Sequence, residues 1–222
     1  MSVHNNEDTV SDSINSILNQ TYKNFEFLII DDCSTDNSLK ILQQYEANDP
    51  RIKIYRNNKN LGLTKSLNLL IEKTNFNIIA RQDADDQSKQ NRLKKQFYYL
   101  NEKNYSFCVT RAETIKTKKN IPKLSIFLPS KLVVKYKNPF IHGSLMIKKE
   151  TLLKIGKYNE NYYYAQDYKL FWDLLHQGTK FKYMMNSYYV LNTTNNISTI
   201  KKEEQKYYSD CVKNNINPVL KI

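Results

Sequence analysis

The stretch FEFLIIDD, residues 25–32, decides the fold, because it is a short apolar run that stops abruptly at two acids. Short continuous apolar runs are typical of strands that are buried on both faces of a parallel sheet. The runs IKIY (52–55) and FNIIA (76–80) have the same character. Helical patterns separate the three runs, and this alternation predicts β-α-β units. The sequence therefore predicts an α/β fold with a mostly parallel sheet.

The helices of the first half are predicted from the spacing of apolar residues. Val10, Ile14 and Ile17 fall on one helical face, a second pattern follows the capping residues of 34–36, and a third covers 67–71. Beyond residue 93 the pattern loosens. It predicts a helix over about 90–103, strands at 105–109 and 144–148, a short helix before Gly156, a helix over 166–178, two short strands (FKYMM and YYVL), and a polar tail from about residue 192.

Composition excludes several classes of protein. The chain of 222 residues is 40% hydrophobic, which is enough for a sizeable core in one domain. No run of 18 apolar residues predicts a transmembrane helix, and the N-terminus lacks the features of a secretory signal. The cysteines Cys33, Cys108 and Cys211 are far apart and lack C-x-x-C spacing. This usage fits a reducing cytosol and argues against a structural zinc site.

Much of the net charge of +12 lies in one segment. Between Lys116 and Lys157 the chain has eleven lysines and one acid, Glu150, with apolar residues interleaved. One interpretation is a set of solvated surfaces. The other is a partner that carries phosphate, namely a nucleotide, an anionic lipid head group or nucleic acid. Nucleic acid is disfavoured, because the chain has no helix-turn-helix, zinc-finger or RNP-type motif.

Acidic residues at strand ends are the clearest chemical feature. With four glycines, the chain has neither a Walker A loop nor a G-x-G-x-x-G cradle. Asp31-Asp32 and the group Asp83, Asp85 and Asp86 each follow a predicted strand, and ligands bind at that edge of open parallel sheets. Asp83-x-Asp85 fits Mg²⁺ or Mn²⁺, which prefer carboxylate oxygens and keep positions open for phosphates. The alternatives are a solvated turn and an aspartyl-phosphate phosphatase. A phosphatase of that type typically has Thr or Val shortly after its second aspartate, whereas this chain has Asp86-Gln87.

An ordered set of motifs carries a family resemblance. The chain contains NNEDTVSDSINSILNQTYKNFEFLIIDDCSTDNSLKIL (5–42), RNNKNLGLTKSLN (56–68), NPFIHGSLMIKK (138–149) and GKYNENYYYAQDYKLFWDLLHQG (156–178). Together with the acidic stretch after residue 80, the set resembles the family 2 glycosyltransferases over about residues 2–191. The resemblance implies the GT-A fold, a Rossmann-like three-layer sandwich with a mixed, mostly parallel central sheet. It also implies an inverting enzyme of bacterial type. The enzyme is expected to be non-processive, because no Q-x-x-R-W motif follows.

The resemblance assigns roles to residues around a nucleotide. Asp32 would bind the base, usually uracil, and Asp83 would face the ribose or the first phosphate. Asp85 would hold the Mn²⁺ or Mg²⁺ that bridges the donor diphosphate. For Asp32 the alternative is a cap for the turn before the next helix. The other residues implied for the nucleotide pocket are Ser2, Asn60, Gly62 and Arg81.

The resemblance also assigns the catalytic base. Asp167 matches the acid of the family's Glu-Asp pair at a helix start, although Gln166 replaces the commoner Glu. The alternative for Asp167 is a first-turn acid that the helix dipole favours. The aromatic residues Tyr162–Tyr164 are predicted either to pack or to stack on a sugar. The isolated histidines His4, His142 and His176 are interpreted as structural.

The implied function is transfer of one sugar from a nucleotide-sugar donor, expected to be a UDP-sugar, to a cell-surface glycan precursor that is free or lipid-linked. We expect one GT-A domain over 1–222, with a nucleotide-binding half at about 1–110, an acceptor half at about 111–191 and a polar tail at about 192–222. We expect a cytoplasmic protein with peripheral contact to the anionic inner face of the membrane, and no nucleic-acid partner.

One departure from the family pattern opens an alternative function. The chain begins MSVHNN, where family members usually have a longer apolar first strand, so the first strand is expected to be truncated. Neighbouring strands would then keep unpaired backbone groups, which is costly. The alternative is therefore a catalytically impaired GT-A-like module that binds a nucleotide or a partner.

Overall fold

The computed structural model of the protein describes residues 1–194 and 201–219. The strands are β1 (Ser2–Val3), β2 (Phe27–Asp31), β3 (Ile52–Arg56), β4 (Ile78–Ala80), β5 (Gln87–Ser88), β6 (Phe107–Thr114), β7 (Asn120–Ile121), β8 (Met146–Lys148) and β9 (Phe181–Leu191). The helices are α1 (Val10–Leu18), α2 (Ser38–Asn48), α3 (Leu63–Lys73), α4 (Arg92–Asn101), α5 (Ser130–Val133), α6 (Lys149–Lys154), α7 (Gln166–His176) and α8 (Lys202–Lys213). Short 3₁₀ turns lie at Leu124–Phe127 and His142–Ser144. Among the described helices, none has the length and apolar character that crossing a membrane requires.

The first sheet is parallel and has the order β1-β2-β3. β2 is buried along its whole length, which explains why its sequence is a continuous apolar run rather than an alternating one. Val10 and Ile14 of α1 and Leu42 of α2 pack with Ile29 on one face. Leu70 of α3 packs on the opposite face. These helices therefore cover both faces of the first sheet.

The second sheet has the order β4-β8-β6-β9-β5, and β7 pairs with β6. β6 and β9 run parallel, whereas β8 is antiparallel to both β4 and β6. The main core lies against this sheet. Phe107 of β6 stacks on Phe181 of β9 with ring centroids 5.0 Å apart, and Phe171 and Leu174 of α7 join the same cluster.

The predicted α/β fold with a mixed sheet is confirmed, and the first strand is short as expected. The arrangement differs from one mostly parallel sheet in two respects. Among the described residues, the pairs β4–β8, β6–β8, β5–β9 and β6–β7 are antiparallel, and only β1–β2, β2–β3 and β6–β9 are parallel. In the described residues, the two sheets also share no hydrogen-bonded strand pair. The reason is the length of β1, which pairs with β2 through Ser2 and Val3 and with no other described strand.

Two local predictions are wrong. FKYMM and YYVL form the single strand β9, because register shifts opposite Thr110–Ala112 accommodate the polar residues between them. The chain beyond residue 192 is also more than a polar tail. Its helix α8 buries Tyr208, Cys211 and Val212, which are spaced on one helical face and pack near α7. The parts of the predicted tail at 195–200 and 220–222 lie outside the described residues.

Helix α1 holds the ends of β2 and β4 at one edge of the molecule. Its residues Val10 and Ile14 pack in the same cluster as β2. Its Ser13 hydroxyl donates a hydrogen bond of 2.7 Å to the carbonyl oxygen of Asp83, which follows β4. The acids after these two strands therefore lie on a common side of the fold, as the sequence predicts.

Candidate active site

A buried arginine fixes the Asp83–Asp86 turn. Arg92 of α4 donates hydrogen bonds to the carbonyl of Arg81 (2.7 Å), the hydroxyl of Ser88 (2.8 Å) and the side-chain oxygen of Gln82 (3.1 Å). Burial lowers the pKa of Arg92 to about 10, so its guanidinium is still charged at neutral pH. Its acceptors lie on both sides of the turn, and the turn is therefore tied at both ends to one side chain.

The carboxylates of this turn crowd one another. The pKa of Asp85 is raised to about 6, first by burial and then by the charge of Asp83. Burial, followed by the charges of Asp83 and Asp85, also raises the pKa of Asp86. Asp86 is buried, and its Oδ1 accepts the backbone N–H of Asn192 at 2.7 Å. Asp86 therefore faces the protein, whereas Asp83 and Asp85 are partly exposed.

Arg81 pairs with Asp83. The guanidinium of the buried Arg81 contacts one carboxylate oxygen of Asp83 and the carbonyl of Gln82. Burial alone would raise the pKa of Asp83, but the positive charge of Arg81 holds it below its usual value. The Nε of Arg81 has no hydrogen-bond partner in the part of the chain that the structure describes. One buried donor is thus left free beside the predicted nucleotide residues.

The structure brings Asp32, Asn60 and Gly62 together. The Asp32 Oδ1 accepts the backbone N–H of Leu61 (2.8 Å) and the Asn57 side-chain amide (2.7 Å), and its Oδ2 accepts the N–H of Gly62 (2.8 Å). Asp32 is also buried. The Asp32 carboxylate therefore orders the loop 60–62. The alternative of a turn cap had predicted a local structural role for Asp32, but not these partners.

His4 joins the same wall of the site. Its Nδ1 lies 2.9 Å from the carbonyl oxygen of Asp32, and its Nε2 lies 3.1 Å from the side-chain nitrogen of Asn60. Ser2, which was predicted for the nucleotide pocket, lies in β1 opposite Ile30. The interpretation of His4 as an isolated residue missed these contacts, because its partners are distant in sequence.

Tyr163 lies over the loop at Gly62. Gly62 has a φ of +84°, a left-handed conformation that favours glycine, and a Cβ at this position would lie 2.9 Å from the Tyr163 ring. Tyr163 is half exposed, whereas Tyr162 is buried in the main core. Of the three consecutive tyrosines, the structure therefore assigns Tyr162 to packing and leaves the Tyr163 ring available beside the loop.

Asp167 lies in the first turn of α7 and is held by Asn138. The Asn138 side-chain amide donates to the Asp167 Oδ2 at 2.7 Å. Burial raises the pKa of Asp167 above its usual value, and the negative charge of Asp83 contributes in the same direction, although the Asn138 hydrogen bond opposes both. A carboxyl group with a raised pKa is a stronger base than an exposed one.

One short segment connects Asp167 with Asp83. At its start, Asn138 binds the Asp167 carboxylate. At its end, Gly143 lies so close to Asp83 that a Cβ on Gly143 would be 2.6 Å from the Asp83 Oδ2. Six residues span at most roughly 20–22 Å. The predicted base and the predicted cation-binding turn therefore lie in one region of the molecule.

Residues that the sequence did not single out complete this region. The Nε2 of His142 lies 2.7 Å from the hydroxyl of Tyr158, and burial, followed by the charge of Arg81, lowers the pKa of His142 to about 3. His142 is therefore neutral at physiological pH. The hydroxyl of Tyr189 accepts the backbone N–H of Asp83 at 3.1 Å. In the sequence, Gly143 was the residue that could have indicated this region, because the Tyr189 hydroxyl and Asp83 leave no space for a side chain there.

The donor set of the turn suits a hard divalent cation. In the described residues, no group of three or more His, Cys, Asp or Glu side chains is arranged to hold a metal ion. Asp83 and Asp85 alone would thus supply carboxylate oxygens. This is typical of Mg²⁺ and Mn²⁺ sites that complete their coordination with water and substrate phosphates. The residues fit such an ion, because a cation would offset the burial and the repulsion by Asp83 that together raise the pKa of Asp85.

Sequence comparisons point to one family. The model described as glycosyl transferase family 2 matches residues 1–188. The putative glycosyltransferase EpsE of Bacillus subtilis (strain 168) is 36% identical over 151 residues, which cover 67% of this chain and 54% of that protein. The O-antigen biosynthesis glycosyltransferase WbnJ of Escherichia coli is 33% identical over 234 residues, covering 100% of this chain and 87% of that protein. The chain thus spans about half the length of EpsE and most of WbnJ.

Solved structures share the fold. S. aureus TarS in complex with UDP aligns with a TM-score of 0.76 and 18% identity, over 96% of this chain and 62% of that chain. The mannosyltransferase PcManGT from Pyrobaculum calidifontis, in complex with GDP-Man and Mn²⁺, aligns with a TM-score of 0.72 and 15% identity, over 93% of this chain and 59% of that chain. At these identities the likeness establishes the GT-A fold.

Proposed function

Because the chain belongs to glycosyl transferase family 2, we propose that it transfers one sugar from a nucleotide-sugar donor to a hydroxyl of a cell-surface glycan precursor. The role of WbnJ in O-antigen biosynthesis supports this acceptor class, and the UDP bound to TarS supports a UDP-sugar as donor. The observation that carries the proposal is the 138–143 segment, which contacts Asp167 at one end and crowds Asp83 at the other.

The donor would occupy the edge formed by the ends of β2 and β4. Asn60 and Gly62, held by Asp32, would line one wall with Ser2. The free Nε–H of Arg81 would donate to an oxygen of the nucleotide. Asp32 would act on the base mainly through the loop that it orders, since its oxygens already accept three hydrogen bonds.

Asp83 and Asp85 would hold Mn²⁺ or Mg²⁺ against the diphosphate. The Mn²⁺ in the PcManGT complex supports this class of ion. When bound, a divalent cation offsets the negative charge that grows on the departing nucleoside diphosphate. The protein contributes the position of the site, because Arg92 ties the turn and Arg81 orients Asp83.

Asp167 would act as the general base. It would accept the proton of the acceptor hydroxyl as that oxygen bonds to the anomeric carbon and the bond to the nucleoside diphosphate breaks. Its raised pKa suits this task, because a more basic carboxylate takes up a proton more readily. Asn138 would orient the carboxylate. A single displacement of this kind inverts the anomeric configuration, and NMR of the product would check it.

The test is the substitution Asp167→Asn, with Asp173→Asn on the same helix as the matched control. Asp167→Asn is expected to reduce transfer by about a thousandfold, because general-base catalysis contributes about 10²–10⁴. Calorimetry should find unchanged binding of UDP and Mn²⁺. Asp173, which pairs with Lys169 at 2.6 Å, should tolerate the change. Near-normal transfer by Asp167→Asn would refute the role of this residue as base.

The acceptor would be lipid-linked and reached at the anionic inner face of the membrane. Within residues 124–136, Leu124, Phe127 and Tyr136 expose 81%, 72% and 72% of their surface. Exposed lysines, including Lys131 and Lys135, lie among them. Apolar side chains with interleaved lysines match the chemistry of an anionic lipid surface. In the chain, this 124–136 surface ends two residues before Asn138, which contacts Asp167.

Sedimentation with vesicles tests the membrane contact. The protein should sediment with vesicles that contain anionic lipid and remain in solution with neutral ones. The double change Leu124→Ser and Phe127→Ser should weaken this binding about tenfold or more, because each removes apolar contact area. Leu153→Ser, at a residue with 52% exposure on α6, is the control. Equal, negligible binding to both kinds of vesicle would contradict the contact and the inner-face location.

A second candidate function is an impaired module that binds without catalysis. The interruption between the two sheets beside the proposed donor site favours it, because in the described residues they share no hydrogen-bonded strand pair. Calorimetry with UDP and Mn²⁺ separates the two functions. Binding together with donor turnover supports the transferase, whereas absence of donor turnover, with or without UDP binding, favours the module. Release of inorganic phosphate from sugar phosphates without an acceptor would instead indicate a phosphohydrolase.

A further inference from the structure

The guanidinium of Arg111, a half-buried residue of β6, forms no ion pair with an acid among the described residues. Its Nε is buried and has no hydrogen-bond partner there, and its Nη2 donates a long hydrogen bond of 3.5 Å to the Asn120 carbonyl. Glu113, two residues further along β6, pairs with Lys89 instead, at 2.6 Å. A partly buried charge without a partner is costly, so Arg111 is suited to bind an anion from outside the chain.

Arg111 lies on the face of β6 that packs against α7. Side chains of a strand alternate between its two faces, and Phe107 and Val109 on this face belong to the main core. Arg111 is the next residue on the face, where the strand becomes accessible. Tyr183 of β9 pairs opposite Val109, which makes it a diagonal neighbour of Arg111. Burial raises the pKa of Tyr183, and the positive charge of Arg111 opposes this effect.

Tyr183 connects Arg111 with the proposed catalytic base. Its hydroxyl donates a hydrogen bond of 3.5 Å to the carbonyl of Pro139. Pro139 follows Asn138, whose side-chain amide donates to the Asp167 carboxylate at 2.7 Å. Arg111 and Asp167 therefore lie on the same side of the second sheet, and Tyr183 contacts the segment that orients the base.

The 124–136 surface proposed for membrane contact lies between these two residues in the chain. It begins four residues after Asn120, whose carbonyl Arg111 contacts, and ends two residues before Asn138. The chain thus leaves the neighbourhood of Arg111, forms this surface and returns to Asp167. A lipid that inserts along the surface would bring its polar end close to an unpaired guanidinium and to the base.

We propose that Arg111 binds a phosphate group of the lipid-linked acceptor, an inference that rests on the proposed transferase function. A guanidinium presents its N–H donors in a planar fork that matches two oxygens of a phosphate. The outer end of this fork lies at the surface, where it contacts Asn120. The phosphate would neutralise the half-buried charge of Arg111. The lipid chain would lie along the 124–136 surface, and the glycan would extend toward Asp167.

The probe for this site is farnesyl diphosphate, a short lipid with a diphosphate end, and farnesol is the same lipid without charge. Binding is measured by calorimetry in EDTA, so that no divalent cation at Asp83 and Asp85 can hold the diphosphate. Arg111→Gln removes the charge, and Arg111→Lys keeps the charge without the fork. Lys119→Gln, at an exposed residue of the same hairpin, is the control for loss of charge alone. The measurement involves neither UDP nor sugar transfer, so its failure is distinct from failure of the proposed function.

The unmodified protein should bind farnesyl diphosphate about tenfold more tightly than farnesol, or better. Arg111→Gln should weaken binding of the diphosphate by about tenfold to a hundredfold, because charge-assisted hydrogen bonds to phosphate are lost. Arg111→Lys should recover part of this loss. Lys119→Gln should stay within about threefold of the unmodified protein, because salt screens an exposed charge. The Tm of Arg111→Gln should not fall, since the change removes an unpaired charge.

Three results would overturn the assignment of Arg111. The first is equal affinity of the Arg111→Gln and unmodified proteins for farnesyl diphosphate, including no binding by either; a lower Tm with it would indicate a purely structural role. The second is an equal loss of affinity in Lys119→Gln, which would indicate general attraction by positive charge.

The third result concerns the phospholipid of the membrane itself, which also carries phosphate. Sedimentation with phosphatidylglycerol vesicles separates this source from the acceptor. Arg111→Gln should reduce that sedimentation by less than about twofold, because the bulk lipid contacts the 124–136 surface. A loss as large as the loss of farnesyl diphosphate binding would assign Arg111 to membrane phospholipid instead of the acceptor.

Discussion

Two acidic clusters follow two strands of this molecule, and they differ in what satisfies their carboxylates. After β2, Asp32 accepts three hydrogen bonds from the loop and side chain beside it. After β4, burial and then the charge of Asp83 raise the pKa of Asp85. A carboxylate whose oxygens accept hydrogen bonds from its own protein stabilises the local structure. Carboxylates that lie close together repel one another unless a positive charge neutralises them. We therefore propose that the first cluster orders the site and that the second binds a cation there.

The largest expected effect is on catalysis, from Asp85→Ala. Transfer should fall by about a thousandfold, since loss of a group that stabilises the leaving charge costs about 10²–10³ in rate or more. Binding of Mn²⁺, followed by calorimetry, should be lost in parallel. Asp8→Ala removes the same charge from an exposed position and serves as the control. Transfer within tenfold of the unmodified protein would show that the two clusters do not differ as proposed.

The next effect is on stability, from Asp32→Ala. This change removes the acceptor of the Leu61 N–H, and it leaves the Gly62 N–H and the Asn57 amide with only their second acceptors, Asn60 and Ser66. The free energy of unfolding should fall by about 3 kcal/mol, and Tm by about 6–12 °C for a chain of this size. Asp85→Ala should leave Tm unchanged or higher, because it relieves like-charge crowding. Equal losses of Tm in the two variants would remove the distinction between the clusters.

A smaller effect is expected from Gly143→Ala. The added Cβ would lie 2.1 Å from the Tyr189 hydroxyl and 2.6 Å from the Asp83 Oδ2, so both groups must move. Overpacking of this kind costs about 2 kcal/mol, and affinity for Mn²⁺ should fall with it. Gly156→Ala is the control, since nothing lies within 4 Å of its added Cβ. The control strains a backbone with a φ of +81° but should keep its Mn²⁺ affinity.

The smallest expected effect is a shift in pH dependence. A general base works when it is deprotonated, so transfer should fall as the pH drops through the pKa of Asp167. Burial raises that pKa, and the acidic limb should therefore lie at higher pH than for an exposed carboxyl group. Asn138→Ala removes the hydrogen bond that lowers the pKa, so the limb should move further toward neutral pH. An unmoved limb in the pH–rate profile of this variant would contradict the assignment.

Individual elements show how much of the structure could be predicted from the sequence. The patterns around Val10 and Ile14, and the runs of β2 and β3, were predicted because each lies within one helix or strand. The division of β9 into two strands was wrong, because the bulge depends on β6, about 75 residues earlier. Helix α8 was missed, since its lysines concealed the apolar face that α7 buries. The roles of the site residues, and the division into nucleotide and acceptor halves, stay predictions.

The amino-acid sequence by itself determined the alternation of helix and strand, the family, and the acids at the ends of β2 and β4. The signals for these features repeat every two or 3.6 residues and are complete within short windows. Only the tertiary structure decided what each acid contacts. Leu61 and Gly62 satisfy Asp32, Asn138 holds Asp167, and Gly143 admits Asp83. Contacts of this kind join residues that lie far apart in the chain, and burial and charge at such sites arise only once the chain has folded around them.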